Sequence, residues 1–412
     1  MPTILGSLAA FRHGPQANFC AAGKIHGMGV QAINPEVFGF PLSLYIHVPF
    51  CAAKCGYCSF YSRPPRGPLE AVSWLDALEV EAGLWRERAG RRIPLRTLYV
   101  GGGTPSLLPV PLWRRLLAVV ERNFDLTPLI EASAEANPSS LTEELMRLWE
   151  DSCLTRVSLG VQSLNDAELR TLGRLHDADR ALWAMGRAAR SRLALSADLI
   201  FGVPGQTLRS WSASLRGALA VGASHLSTYQ LTLEPDTPLG RSAPVLPDGY
   251  PFYRYAQWLL PRKGFPQYEI SSFAPEGREC RHNLAYWRQE NVLALGPAAW
   301  GYLEGRRYEN PRTLEAYLSA AAKNFPEPLA VGETLSPRQR AVEAAILALR
   351  TRWGIRREDF AARRGAAFLA EVEGVMSRLP SRLVRDGGGR LALTPAGMRV
   401  GNAVWTELME LL

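Results

Sequence analysis

The chain has no stretch approaching the roughly 18 consecutive apolar residues that a membrane span needs, which excludes an integral helical membrane protein. Cysteine is scarce, six in 412 residues, and three of the six crowd into eight positions, so a disulfide-framed secreted module is excluded too. Lysine is nearly missing: Lys24, Lys54, Lys263 and Lys323 are the only four among 47 cationic side chains. No dense basic block accompanies the net charge of +8, because acidic residues interleave along the chain. A solvated, arginine-biased surface explains this better than a nucleic-acid footprint. With 47% hydrophobic and 21% charged residues, what remains is a globular chain long enough for one large domain and a small one.

Residues 1–40 have weak periodicity and no signal-peptide run, and they read as a flexible extension in which Met28 is an alternative start. Cys20, His13 and His26 lie there without partners at metal-ligand spacing. From Leu42 the chain alternates strand and helix. Strands are expected at Leu42–Val48, Leu95–Val100, Ile130–Ala136, Thr155–Val161, Leu193–Phe201 and His225–Leu233, with helices between them. Ser140-Leu141-Thr142-Glu143 reads as a capping box. Six such units imply right-handed crossovers and a parallel sheet, α/β, forming a partial barrel whose chemistry collects at the C-terminal strand ends. This barrel is expected over residues 41–240, followed by accessory strands and loops over 241–333. Helices near Pro337–Arg350, Arg357–Arg363 and Ala367–Leu379, a hairpin turning at Gly387-Gly388-Gly389 and a last helix from Pro395 give a winged-helix-like domain over 334–412. Its third helix carries Glu371 and Glu373 against Arg378, so it is read as a structural or docking appendage and not as a DNA reader.

The strongest signal is Cys51-Ala52-Ala53-Lys54-Cys55-Gly56-Tyr57-Cys58, on the loop after the first strand. Thiolates suit zinc or iron–sulfur clusters. A structural zinc site wants four ligands, and this loop offers three. Three cysteines on a [4Fe-4S] cube leave one iron open for a small ligand. Other polar residues gather at the same rim. Gly101-Gly102-Gly103-Thr104 follows the second strand, Glu135 and Gln162 end the third and fourth, Arg174 follows, and Asp198 is expected to end the fifth.

The CxxxCxxC spacing resembles the radical S-adenosylmethionine superfamily. In that superfamily the open iron binds S-adenosylmethionine, and a reduced cluster generates a 5′-deoxyadenosyl radical. Tyr45-Ile46-His47-Val48-Pro49-Phe50-Cys51, the GGGTPS loop, Gly160-Val161-Gln162-Ser163, Asp198-Leu199-Ile200 with Pro204-Gly205-Gln206-Thr207, and His282-Asn283-Leu284-Ala285-Tyr286-Trp287 together resemble the oxygen-independent coproporphyrinogen III oxidase family. Within it the chain is most similar to the heme-chaperone (HemW-type) branch. The resemblance implies that Cys51, Cys55 and Cys58 hold the cluster and that Tyr45, Gly102 and Glu135 contact its S-adenosylmethionine. Tyr57, Gly103, Thr104, Gln162, Arg174, Asp198 and Thr232 align with residues around a second S-adenosylmethionine. The family's oxidases carry a further cysteine two positions after the third; here that residue is Phe60, and an aromatic ring cannot replace a thiol. The HNxxYW segment marks the chaperone branch, with His282, Tyr286 and Trp287 as heme candidates; heme iron accepts His ligation, and a hydrogen-bonding role for His282 stays open beside it. The expected function is a cytoplasmic chaperone that binds heme and hands it to an acceptor protein, with flavodoxin or ferredoxin as electron donor if the cluster is reduced. Oxidative decarboxylation of coproporphyrinogen III is the alternative.

Overall fold

The computed structural model describes residues 35–325 and 331–412; Cys20, His13, His26 and Met28 lie outside the described residues. Six parallel strands form the barrel wall: β1 (Leu42–Val48), β2 (Ile93–Gly102), β3 (Glu131–Ala136), β4 (Arg156–Gln162), β5 (Ala194–Phe201) and β6 (His225–Gln230). They pair in sequence order and in parallel, β1 to β6. The two ends of the series do not meet. β7 (Ser272–Phe273) caps β6 antiparallel. On the other side β8 (Val292–Leu295) adds to β1 in parallel, and β9 (Trp300–Leu303), β10 (Arg306–Glu309) and β11 (Val331–Thr334) continue antiparallel. With a two-residue strand beside β2 this makes one open 12-stranded sheet. β1 is therefore central, and all seven of its residues are buried, as a strand covered on both faces requires.

Helices cover the outer face and carry the large aromatic residues of the core. α1 (Pro68–Ala89) buries Trp74, Leu78 and Trp85, and α2 (Val110–Asn123) buries Trp113 against Trp149 of α3 (Glu143–Glu150), ring centroids 5.1 Å apart. α3 starts later than Ser140 suggests: Thr142 is its cap, accepting from Leu145 N at 3.1 Å. Ser140 is drawn off to Ser106, hydroxyl to hydroxyl at 2.6 Å. α4 (Ala178–Ala189), α5 (Leu208–Val221) and α6 (Gly249–Arg262) complete the outer layer. The HNxxYW segment is a helix, α7 (Arg281–Trp287), where loop was expected; five of its seven residues are buried, and that burial outweighs its short length.

The C-terminal domain has its own core around Val342, Ile346, Val372, Met376 and Trp405. It contains α8 (Pro337–Leu349), α9 (Arg357–Arg364), α10 (Ala366–Ser377) and the hairpin Val384–Gly387/Arg390–Leu393. The last helix is broken into Pro395–Met398 and Gly401–Met409. Gly397 and Gly401 flank the break, and glycine is a poor helix former. Arg350 joins the domains: its guanidinium lies 5.1 Å from the Trp287 ring of α7 and 5.8 Å from Trp405.

Glu81 of α1 shows how the added strands are bolted to the barrel. It is fully buried and accepts from Gly296 N at 2.9 Å, Asn310 Nδ2 at 2.6 Å and the Tyr317 hydroxyl at 2.6 Å. Burial pushes its carboxyl up to about 7 against these donors. A carboxyl whose folded pKa is raised contributes stability below its unfolded pKa and loses it as pH rises through the folded one. Glu81→Gln should cost about 1–2 kcal/mol, because its amide turns donor against donor. It should also make the pH 5–8 slope of urea-unfolding stability shallower. An unchanged slope counts against Glu81 as its source.

Candidate functional site

β1 ends at Val48, and the loop that follows is closed by a bridge between Phe50 and Arg63: Cys51 N donates to Arg63 O at 3.1 Å and Arg63 N to Pro49 O at 3.0 Å. Between these posts lie Cys51, Cys55 and Cys58, all free thiols and all partly exposed. The loop is pinned across the barrel mouth by Gly56, whose N–H donates to Leu172 O at 3.1 Å and whose carbonyl accepts from Leu239 N at 2.7 Å.

Cys51 Sγ accepts from Thr104 Oγ1 at 3.3 Å, and Cys55 Sγ from Arg174 Nη1 at 3.2 Å. Donors aimed at sulfur are what a thiolate or a cluster sulfur needs, and they tune its potential. Burial pushes the Cys58 thiol up to about 11; a metal bound there would deprotonate it outright. Among the described residues no three His, Cys, Asp or Glu side chains converge on one metal ion. His47 is already engaged: it is buried, donates from Nε2 to Tyr61 O at 2.9 Å and accepts from the Tyr45 hydroxyl at Nδ1, 3.0 Å.

The three cysteines open onto a cavity of about 280 Å³ inside the barrel mouth. All the residues expected to hold S-adenosylmethionine line it except Tyr45, which sits behind on His47. Glu135 accepts from the Tyr99 hydroxyl at 2.9 Å and from Gly102 N at 3.1 Å. Burial, and then the neighbouring Asp198, push Glu135 up to about 7; burial likewise pushes Asp198 up to about 6 against its hydroxyl donors, Ser158 among them at 2.9 Å. Gln162 closes β4 at φ +66°, a left-handed conformation rare outside glycine and frequent at functional sites. Arg174 fixes Nη2 on Gly160 O at 2.8 Å, and its buried Nε has no partner.

The glycine loop answers to packing as well as to any ligand. A Cβ on Gly103 would stand 2.5 Å from Phe50 O, and one on Gly102, at φ +112°, 2.7 Å from the His47 ring. The loop lies so close to β1 that only glycine fits.

The heme candidates lie elsewhere. His282, Tyr286 and Trp287 are buried and none lines the cavity. The His282 ring stacks on Tyr99 at 5.1 Å, shares a 2.8 Å hydrogen bond with Thr97 through Nδ1, and leaves Nε2 buried without a partner. Tyr99 itself lines the cavity, so one ring separates it from His282. Cys280 and Asn283, from the same segment, do reach the cavity. Sequence reasoning also passed over Tyr99 and Arg156. The signal for Arg156 was the alternate row Arg156, Ser158, Gly160 and Gln162 of β4, where a packed barrel carries branched apolar residues.

An open parallel barrel with three loop thiols at its mouth defines a radical S-adenosylmethionine protein, and the Radical SAM superfamily profile matches residues 45–216. A second profile, the HemN C-terminal domain, matches residues 335–400. The fold is similar to that of the coproporphyrinogen III oxidase HemN from Escherichia coli, a radical SAM enzyme, with a TM-score of 0.78 and 20% identity over 91% of this chain and 92% of that one. The chain is 35% identical to the heme chaperone HemW of Synechocystis over 78% of its length and 81% of the relative's. It is 31% identical to that of Lactococcus lactis, over 90% and 97%, and 34% identical to that of Escherichia coli, over 67% and 79%. It belongs to the HemW heme chaperone family.

Proposed function

We propose that this protein binds heme and passes it to an acceptor protein, carrying a [4Fe-4S] cluster on Cys51, Cys55 and Cys58 with S-adenosylmethionine in the adjoining cavity. Phe60 carries the reading: it lines the cavity beside Cys58, where a thiol would be needed for the oxidase reaction. When bound, the cluster would supply an open iron and a low-potential electron. The chain's own part is to hold it by three thiols, two of them hydrogen-bonded by Thr104 and Arg174, and to offer Glu135 to the ligand's ammonium. No described helix is long and apolar enough to cross a membrane; a cytoplasmic setting and a flavodoxin- or ferredoxin-type donor belong to the same reading.

His282 is the residue that would ligate the heme iron. Burial holds its imidazole neutral, down to about 3, which is the ligating form, and Nε2 is the nitrogen left over. Heme reaches it only after the α7 segment opens, with Tyr286 and Trp287 as flat apolar contacts. Hemin added to the purified protein is expected to give a saturable Soret band at one equivalent, weakened in His282→Ala. A wild-type protein without that band overturns heme binding; a band that His282→Ala leaves intact places the ligand elsewhere.

A further inference from the structure

Arginine on the other surface helices is repeatedly answered by carboxylate. Arg115 of α2 grips Asp76 and Glu79, Arg187 of α4 grips Glu143 and Glu150, and Arg357 of α9 grips Glu373 and Asp386. One face departs from this. α5 and α6 lie side by side in the outer layer, joined by the Ser212 and Tyr255 hydroxyls at 2.6 Å and by Trp211 Nε1, which donates to Phe252 O at 3.0 Å. Neither helix contains an aspartate or a glutamate. Among the described residues none of their arginines, Arg209, Arg216, Arg254 and Arg262, pairs with a carboxylate.

α6 buries Phe252, Ala256, Leu259 and Leu260. Away from that side it presents Tyr250, Arg254, Trp258 and Arg262, and their four-residue spacing sets them in one ridge. All four are exposed, Tyr250 by 47% and Trp258 by 48%. The outer face of a surface helix ordinarily carries polar and charged groups; this one interleaves cations with large rings over about 18 Å of helix. The ridge is braced. The Arg262 guanidinium lies 4.9 Å from the Trp258 ring, Tyr255 lies 5.7 Å from the same ring, and Arg399 of the C-terminal domain lies 5.7 Å from Tyr250. Arg399 is tethered to Gln257 Oε1 at 2.7 Å, and Arg216 of α5 to Ser212 Oγ at 3.3 Å, so the cationic surface extends onto both neighbours. Groups held in this way lose little freedom when they are covered. Asp248, just before the ridge, is engaged as the α6 cap and accepts from Tyr250 N at 3.0 Å.

We propose that the α6 ridge, with Arg216 and Arg399 beside it, is the docking face for an acidic protein surface, that of the heme acceptor. The partner's role as acceptor rests on the chaperone reading; the face itself rests on the residues above. Tyrosine, tryptophan and arginine are the side chains that carry protein interfaces, and unpaired cations call for carboxylates opposite them. A second copy does not qualify, because the same face would set cation against cation in a chain of net charge +8. A lipid surface suits it less, since arginines interrupt the rings and leave no continuous apolar edge to insert. The foot of the ridge reaches the C-terminal domain through Gln257 Nε2, which donates to Pro395 O at 3.0 Å. That domain also flanks α7, with Arg350 against Trp287. A protein seated on the ridge therefore touches the domain packed against the helix that buries His282.

The test uses the full chain, anaerobically reconstituted with its cluster. Fluorophore-labelled cytochrome b5, carrying its own heme, serves as the acidic probe, so docking is read without transfer; near-neutral myoglobin is its control. Wild type is expected to bind cytochrome b5 at least about tenfold tighter than myoglobin at low ionic strength, and to lose the difference at high ionic strength. Arg254→Glu/Arg262→Glu should weaken the probe by about tenfold or more, and Trp258→Ala by about tenfold. Arg114→Glu/Arg190→Glu, the same charge change at exposed arginines elsewhere, should leave it within about twofold. Should one ridge variant fail to fold, the other decides. Equal weakening by the two double variants, or no salt-sensitive binding by wild type, overturns the docking face. Phosphatidylcholine–phosphatidylglycerol vesicles and a short single-stranded oligonucleotide are run alongside; if wild type captures either of these and not cytochrome b5, the protein partner is overturned. Transfer from the heme-loaded chain to apocytochrome b5 should quicken with acceptor concentration in wild type and not in Arg254→Glu/Arg262→Glu; a rate indifferent to concentration despite docking overturns the acceptor role. Docking by a wild type that takes up no heme overturns the chaperone reading and leaves the face, whereas heme uptake without docking overturns the face alone.

Discussion

Replacing Cys51, Cys55 and Cys58 together by serine is expected to abolish iron and sulfide incorporation completely. The wild-type chain, reconstituted anaerobically, should take up about four of each, the content of one cube. Serine keeps the size of the side chain but not the soft thiolate, and no other group stands ready to take over. His47 has both nitrogens engaged, and Cys280 lies at the far end of the cavity, its thiol 3.4 Å from Glu131. The fold itself should survive. The three residues are partly exposed, they contribute nothing to the main core, and the loop is held by backbone bonds at Cys51 and Gly56 that serine leaves untouched. The serine variant should therefore keep the far-ultraviolet circular dichroism of wild type while losing the brown chromophore. Cys153→Ser, whose thiol packs partly buried on the core, should keep full iron content. Zinc at one equivalent in wild type, or iron retained by the serine variant, would falsify the cluster assignment.

The barrel was legible in sequence because each strand–helix unit repeats two independent signals. Apolar strand runs are short and bounded by Pro49, Gly101 or Gly202, and the helices open on prolines or caps such as Thr207, which forms a capping box with Ser210. The rim residues Gly102, Glu135 and Gln162 were legible because chemistry in such folds follows the C-terminal strand ends; Asp198, expected at the end of the fifth strand, lies instead within β5, which runs on to Phe201. What was not legible depends on contacts between distant parts of the chain. Helix α7 forms from a segment with a weak cap at Cys280, and it holds because β2 lies on one side and the C-terminal domain on the other, Tyr99 stacking on His282 and Arg350 on Trp287. No local pattern announces either partner. The same holds for β8, which joins β1 in parallel from about 250 residues away in sequence, and for Glu81, whose three donors come from three separate segments. In the glycine loop, sequence pointed toward ligand approach, while the geometry adds a second cause that only the β1–β2 register reveals: His47 pairs with Gly101 and Val48 with Gly102.

Glu135→Gln is expected to weaken S-adenosylmethionine binding at pH 8 by roughly tenfold to a hundredfold, the range for losing a charged hydrogen bond in a buried site. The carboxylate stands inside the chamber on the strand end nearest the glycine loop, fixed by Tyr99 and Gly102, so its orientation is set before a ligand arrives. The same burial makes it a poor anion near neutrality. With its folded pKa at about 7, it is protonated through mildly acid pH, and a neutral carboxyl cannot pair with an ammonium. Wild-type affinity should therefore rise as pH increases through about 7 and level off above it. A bound cation favours the ionised form and shifts that midpoint downward in the complex. Asp198 adds to the same trend, since it titrates at about 6 within the same cavity, and in Glu135→Gln only its smaller, more acid step should remain. Glutamine preserves the side-chain shape and can still accept from Tyr99, so a stability loss should stay below about 2 kcal/mol. Binding measured by calorimetry from pH 6 to 8.5 on both proteins checks this. Parallel pH curves for wild type and variant would remove Glu135 from the ligand's ammonium and return it to a structural role beneath the glycine loop.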